Sequence, residues 1–260
     1  MPRDRLETNA VNRSRTAKGT QRRFKAFKAR GARVRLAADH PASLAGHSIF
    51  RTKIYDAADE KSVLKKGNNS AKTGFLVEKG RWTGMPIYTL TLEERATCPR
   101  SCLQWANCYG NNMHHAHRIT ADATFEMLLK AELRQLSKDH PKGFVVRLHV
   151  LGDFYSTDYV KLWEKAMERH PQIRVFGYTA RPINDPIGKE LLRLAFKDWE
   201  RFSMRFSGAL IPEMAAEVIL PGEKPSDGYL ECPQHDRDDL CCATCALCWG
   251  TTRNIAFIEH

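Results

Sequence analysis

The chain has 260 residues, 42% of them apolar and 27% charged, with a formal net charge of +11. That is enough apolar material for a full core in one or two domains. Neither a run of ~18 apolar residues nor an apolar N-terminal stretch is present, so a membrane span and a secretory leader are not expected.

The charge is concentrated at one end. Residues 1–35 hold twelve Lys/Arg against two Asp/Glu, and the other 225 residues are close to neutral. Arg22, Arg23, Phe24, Lys25, Phe27, Lys28 and Arg30 interleave cations with rings, a pattern suited to phosphate contact and base stacking. Nucleic acid is therefore the expected partner of this arm, solubility its plainer alternative, and the cytoplasm the expected compartment. Nothing in the sequence sets the oligomeric state.

Beyond the arm, elements alternate. Residues 84–91 (GMPIYTLT) read as a strand and 119–137 as a helix, with Phe125, Leu128, Leu129, Leu133 and Leu136 at helical spacing. A strand over 143–151, a helix over 157–169, a strand over 172–178 and a helix over 187–197 follow. Strands over 201–206 and 215–220 come next. Residues 221–250 are rich in Gly, Pro and Cys without a period, and Ile255 to Ile258 form a last apolar run. Strand–helix alternation of this kind predicts parallel βαβ units. Five to six mostly parallel strands are too few for a closed eight-stranded barrel, and the expected fold is an α/β partial (β/α) barrel. An open doubly wound sheet also fits the strand count. The expected organisation is an arm over 1–35, the α/β body over 36–220, and a Cys-rich metal-binding segment over 221–260 packed on the body.

Ligand sites in such folds lie at the carboxyl ends of the strands. After the first strand come Cys98, Cys102 and Cys108, and after the second come Gly152 and Asp153. Arg181 follows the third. Three thiolates in one eleven-residue loop select zinc, copper(I) or iron–sulfur clusters. Asp153 is placed to hold a ligand's amine or hydroxyl, or to act as a base; an N-cap role at the start of the next helix is its plainer alternative. A second group comprises Cys232, Cys241, Cys242, Cys245 and Cys248. The spacing Cys242-x2-Cys245-x2-Cys248 suits a metal with Cys232 as fourth ligand, and either Cys241 or Cys242 can serve. Zinc and a [4Fe–4S] cluster both accept this set. His114, His115 and His117 could complete the first group, bind phosphate or sit in a solvated helix start. Strict alternation puts Arg147, His149 and Leu151 on one face of their strand. Arg174, Phe176 and Arg205 would extend that face into a polar, anion-attracting lumen.

The runs TLTLEERATCPRSC, LHVLGDFYS, CCATCALCW and IAFIEH, with Trp105 and Cys108-Tyr109-Gly110, resemble the phage gene product 88 domain family over roughly residues 70–260. That resemblance implies no particular activity. More distantly, a three-cysteine loop after the first strand resembles the radical S-adenosylmethionine partial barrels. It implies a [4Fe–4S] cluster on Cys98, Cys102 and Cys108, S-adenosylmethionine against Gly152 and Asp153, and a second cluster or zinc at Cys232–Cys248. The usual C-x3-C-x2-C is here C-x3-C-x5-C, which displaces Cys108. On this basis the expected function is an iron–sulfur, radical S-adenosylmethionine-like enzyme acting on nucleic acid or a nucleotide-like substrate. Two alternatives stand beside it. One is a zinc base-exchange enzyme similar to the tRNA-guanine transglycosylases, with Cys242, Cys245, Cys248 and His260 as ligands and Asp153 as nucleophile on the sugar or base-recognising acid. The other is a non-enzymatic nucleic-acid-binding protein with structural metal sites.

Overall fold

The computed structural model describes residues 34–67, 70, 72–234 and 240–259. The basic arm residues Arg22, Arg23, Lys25, Lys28 and Arg30, and His260, lie outside them. Ten strands are found among the described residues. They are β1 (Ile54–Tyr55), β2 (Lys65–Lys66), β3 (Ile87–Thr89), β4 (Arg118–Ile119), β5 (Phe144–Leu148), β6 (Ile173–Thr179), β7 (Phe202–Ser207), β8 (Ala215–Ile219), β9 (Leu230–Glu231) and β10 (Ile255–Ile258). A short α1 (Pro41–Ala45) precedes three long helices, α2 (Ala123–Asp139), α3 (Thr157–Arg169) and α4 (Pro186–Lys197). Two four-residue helices, α5 (Cys242–Cys245) and α6 (Leu247–Gly250), occupy the Cys-rich segment.

Eight strands form one sheet in the order β2-β3-β5-β6-β7-β8-β10-β9, and β1 pairs with β4 separately. All pairings in the large sheet are parallel except β2 with β3. The fold is thus mixed α/β with a mostly parallel sheet. Among the described residues β2 and β9 do not pair with each other, so no closed barrel forms. The sheet is wider than the expected five to six strands because β2 and β9, each two residues long, are too short to show periodicity.

The long helices start where side chains can cap them. Asp122 accepts from the Phe125 amide, Ser156 from Tyr159, and Asp185 from Gly188, with Pro186 opening α4. All three pack on one face of the sheet. Phe125, Leu129 and Leu133 of α2, Tyr159, Trp163 and Met167 of α3, and Leu191 and Leu194 of α4 meet Phe144, Val146, Leu148, Val175, Phe202, Met204 and Phe206. Each such buried side chain contributes about 1.5–3 kcal/mol.

The other face is covered by chain that is not helical in the long-range sense. Ile87, Val145 and Phe176 pack against Val77, Trp82, Ala243 and Trp249. The Trp82 and Trp249 rings stack at 5.1 Å, and the Trp82 indole donates to the Glu200 carbonyl at 3.0 Å. Strands β9 and β10 belong to the same sheet as the βαβ units, so residues 221–260 complete the sheet as well as covering it.

Candidate functional site

Both cysteine groups lie toward the carboxyl ends of the parallel strands, where the loops converge. The first follows β3 and is held by a buried polar frame. Glu94 accepts from Arg118 Nε at 2.7 Å and from the Ser48 hydroxyl at 2.7 Å, with both members of the ion pair almost fully buried. Arg118 also donates to the carbonyls of Gly110 and Ala116. Arg95 donates to the Trp105 carbonyl and to Asn111, whose amide nitrogen reaches the carbonyls of Val34 and Ala106. Few apolar side chains are available here, and charged hydrogen bonds fix the loop instead.

Within this frame all three thiols are pushed up from the ordinary thiol range. Burial pushes Cys98 well above the ordinary thiol range, with Asp153 adding to the effect. Burial pushes Cys102 up to about 11, and it raises Cys108 with help from Glu94. The Arg95 Nη1 nitrogen, in the field of Cys102 and Cys108, is buried without a hydrogen-bond partner. His117 is engaged by Glu60 at 2.7 Å and stacks on Tyr55, and His114 lies edge-on to Phe50.

Gly152, Asp153 and Arg181 form a clasp. Gly152 has φ +83°, and a Cβ there would come within 2.7 Å of Leu92 Cβ and Thr97 Oγ1, so the turn requires glycine. Asp153 is 2% exposed. Its carboxylate accepts from the Phe154 amide at 2.7 Å, the Thr179 hydroxyl at 2.8 Å and the Ala180 amide at 2.7 Å. Burial nonetheless lifts it to about 6. Arg181 donates to the carbonyls of Phe154 and Thr97. These contacts tie the ends of β3, β5 and β6 together.

The second group is built differently. Cys242 and Cys248 share a thiol hydrogen bond, and the Tyr178 hydroxyl donates to Cys248 Sγ at 2.7 Å. The Cys242 hydrogen bond, then Arg205, Tyr178 and Arg147, bring Cys248 down to about 6 against the cost of burial. Cys232 lies in the field of Cys248 and Cys245, and half-buried Lys72 in that of Cys242, Cys232 and Cys248. Arg205 is fully buried and donates to the carbonyls of Cys248, Thr251 and Arg253, which clamps α6 over the sheet. Backbone bonds from Cys242 to Lys72 and from Ala243 to Thr73 fix α5. Cys241 serves elsewhere, as the N-cap of α5, with its sulfur facing Thr244 at 3.7 Å. Its field includes Glu78.

The sheet does not close, so no lumen is shown, and the expected cationic face is assembled only in part. Arg147 and Arg205 share the sheet face covered by the Cys-rich segment, and Arg174 turns to the carbonyls of Pro171 and Ile173. His149 is a correction. Strand β5 ends at Leu148, strict alternation ends with it, and His149 packs on the helix side against Phe154 and Tyr159. Lys72 and Tyr178 were not among the expected site residues. Tyr178 follows Phe176 and Gly177 in a plainly β-forming run, and Lys72 lies in a polar stretch without a motif, so neither carried a signal of its own.

Among the described residues no group of three or more His, Cys, Asp or Glu side chains is assembled to hold a metal ion. The donor chemistry of the second group still fits a metal. It offers four thiols, one of them stabilised as thiolate, beside Arg205 and Lys72 to offset negative charge. In the first group the orphaned Arg95 Nη1 also suits an anionic centre, while burial and two carboxylates push its thiols up, as burial does for Cys232 and Cys242 in the second.

The fold is that of a cysteine-rich α/β protein with a mostly parallel sheet. Residues 61–196 match the family Gene product 88, a stretch spanning more than half of the chain. The chain belongs to the Gene product 88 family. The match takes in the first cysteine loop, Gly152-Asp153 and Arg181 and ends before Cys232, so it is shorter at its carboxyl end than the sequence resemblance suggested. No curated protein and no solved structure matches the chain. The likeness to radical S-adenosylmethionine enzymes therefore rests on the loop and turn alone. No helix among the described residues is long and apolar enough to cross a membrane.

Proposed function

We propose that the chain is a metal–thiolate protein that acts on nucleic acid or a nucleotide-like substrate, with its metal held by Cys232, Cys242, Cys245 and Cys248. The observation that carries this reading is the Cys248 sulfur, stabilised as thiolate by Cys242, Arg205 and Tyr178 among other thiols. Thiolates are the metal-binding form of cysteine, and a buried one needs a cation or a metal to remain charged. Four thiolates around either zinc or a [4Fe–4S] cluster leave a net negative centre, which Arg205 and Lys72 offset. A cluster would supply one-electron chemistry there, whereas zinc closed by four cysteines would supply structure.

The sheet supports the partial-barrel form of the fold. Its parallel strands β3, β5, β6, β7, β8 and β10 follow one another in chain order, always extending the same side, with α2, α3 and α4 on one face. A doubly wound sheet would reverse its order part-way, and a rolled sheet would not. The concave face is then the one bearing the cysteines.

The test is metal and sulfide content with an absorption spectrum, on protein purified without oxygen. About four iron and four sulfide per cluster, with a band that bleaches on dithionite, would support a redox centre. Zinc without sulfide would support a metal–thiolate protein of the structural or base-exchange kind. Protein free of both, with Cys242→Ser and Cys248→Ser indistinguishable from the parent, would overturn the reading.

A further inference from the structure

Arg95 is a buried cation that its protein surroundings leave unbalanced. It is 3% exposed. Its Nε and Nη2 donate to the Trp105 carbonyl, and Nη2 also donates to the Asn111 side chain at 2.7 Å. Nη1 is buried and makes no hydrogen bond among the described residues. The carboxylates in the field of the nearby sulfurs are engaged elsewhere. Glu94 accepts from Arg118 and Ser48, and Asp153 from the Phe154 and Ala180 amides and the Thr179 hydroxyl. Arginine stays charged in proteins, so a buried one is costly unless an anion faces it. Its backbone is also strained, at φ +65°, a conformation that residues other than glycine rarely adopt. Strain of this kind persists where the surroundings impose it, and it clusters at ligand sites.

The first cysteine group lies in the field of this charge. Arg95 acts on Cys102 and Cys108, Cys98 lies in the field of both, and Cys102 in that of Cys108. Each sulfur accepts one backbone amide: Cys98 that of Arg95 itself, Cys102 that of Gln104 and Cys108 that of Gly110. Amides aimed at sulfur favour the thiolate. Burial works against them, and a bound metal ion is what deprotonates such a thiol outright. Three thiolates on a dipositive centre leave one net negative charge. In the frame around them Glu94 cancels Arg118 and Arg181 offsets Asp153, so the one positive charge left over is that of Arg95. The sulfurs are not gathered into a finished cage among the described residues, and binding would draw their loop inward. Leu103, beside Cys102, is 79% exposed, so that movement displaces water and not core.

We infer that Cys98, Cys102 and Cys108 bind a second, dipositive thiophilic metal centre, with Arg95 as its counter-cation. This goes beyond the proposed function, whose metal sits on Cys232, Cys242, Cys245 and Cys248. Binding releases the three thiol protons and forms three metal–sulfur bonds. A fourth position is left to a ligand other than cysteine. A single zinc ion and a [4Fe–4S] cluster offer the same charge and the same affinity for sulfur.

The experiment is zinc binding by the full-length, reduced protein, with bound metal counted per chain and affinity read by competition with a chelator. The parent should hold about two zinc ions, Cys102→Ser and Cys242→Ser about one each, and the double variant none. Arg95→Met should weaken the ion that Cys102→Ser loses by at least about tenfold and leave the other unchanged, with Arg95→Lys in between. Iron and sulfide, measured on protein purified without oxygen, separate the two sources. Iron and sulfide lost together in Cys102→Ser assign a cluster, and zinc lost without sulfide a single ion; either supports the centre. Circular dichroism shows which variants fold, and Cys102→Ser, at a half-buried position, decides the matter if Arg95→Met or Cys242→Ser does not. Parental metal content in Cys102→Ser, no metal on folded Cys242→Ser, or equal affinity in parent and folded Arg95→Met would overturn the inference. Metal lost in Cys102→Ser but kept whole in Cys242→Ser would uphold it and overturn the proposed function, so the two readings fail separately.

Discussion

The Tyr178 hydroxyl donates to Cys248 Sγ at 2.7 Å, which joins the carboxyl end of β6 to the Cys-rich segment seventy residues later. The ring itself is held independently, by Phe257 at its edge and Arg147 over its face. Tyr178→Phe therefore removes the hydrogen bond and little else. Hydrogen bonds to a metal's ligands typically contribute 10–100-fold in metal affinity. Tyr178→Phe should lose metal to a competing chelator at 10–100-fold lower chelator concentration than the parent. Equal retention would separate Tyr178 from the metal.

Cys241 and Cys242 are neighbours in sequence that face different partners. Cys241 caps α5 through Thr244, and serine is among the best residues at such a position. Cys242 faces Cys248. Cys241→Ser should keep both metal and stability, within about 0.5 kcal/mol, whereas Cys242→Ser should lose the metal. Metal analysis and urea denaturation of the two variants read this directly, and a loss of metal in Cys241→Ser would reverse the assignment.

The parallel body was legible because its signals are long. The 3.6-residue period of α2 and the β-branched run of β5 each extend over several residues, and the structure places them within a few residues of the sequence reading. The cysteine spacing likewise separated two groups in the chain, of which only the first was expected past a strand's carboxyl end. What could not be read was three-dimensional. That Asp153 and Arg181 clasp the strand ends depends on amides and carbonyls at Thr97, Phe154 and Ala180, which leave no trace in side-chain identity. His149 was misplaced because alternation says nothing about where a strand ends. Lys72 enters the site only because α5 pairs with the backbone of residues 72 and 73.

Glu94 and Arg118 form the deepest ion pair among the described residues, at 2.7 Å, and they hold the first cysteine loop. Breaking a buried pair on one side leaves the partner's charge uncompensated, at a cost of about 3–5 kcal/mol. Glu94→Gln should therefore destabilise the protein by that amount in urea denaturation at neutral pH. A loss below about 1 kcal/mol would show that the carbonyls of Gly110 and Ala116 satisfy Arg118 by themselves.

The basic arm joins the described chain beside this same loop, where Asn111 holds the Val34 carbonyl and the Leu36 amide bonds to Ala106. Removing residues 1–30 leaves those anchors in place and takes away most of the positive charge. Single-stranded nucleic-acid binding should weaken, and its dependence on salt should flatten in proportion to the phosphates no longer contacted. A titration at several salt concentrations measures both, and an unchanged slope would assign the arm to solubility.

His149 gives the clearest pH signature of the core. It is 4% exposed, its Nε2 lies 3.1 Å from the Tyr159 hydroxyl, and its Nδ1 has no hydrogen-bond partner. Burial, with Arg147 adding repulsion, brings it down to about 3. An unfolded chain protonates this imidazole near pH 6.5, so the folded state binds the proton less readily than the unfolded one. The contribution is fully present above pH 6.5 and is lost as the pH falls toward 3. Between pH 6.5 and 5 it amounts to about 2 kcal/mol. His149→Phe keeps the ring volume, removes the titration, and leaves the Tyr159 hydroxyl without its partner, which costs about 1–2 kcal/mol at neutral pH. The stability gap between parent and His149→Phe should therefore close by about 2 kcal/mol over that interval in urea denaturation. A gap constant with pH would mean that His149 titrates in the folded protein as it does in water.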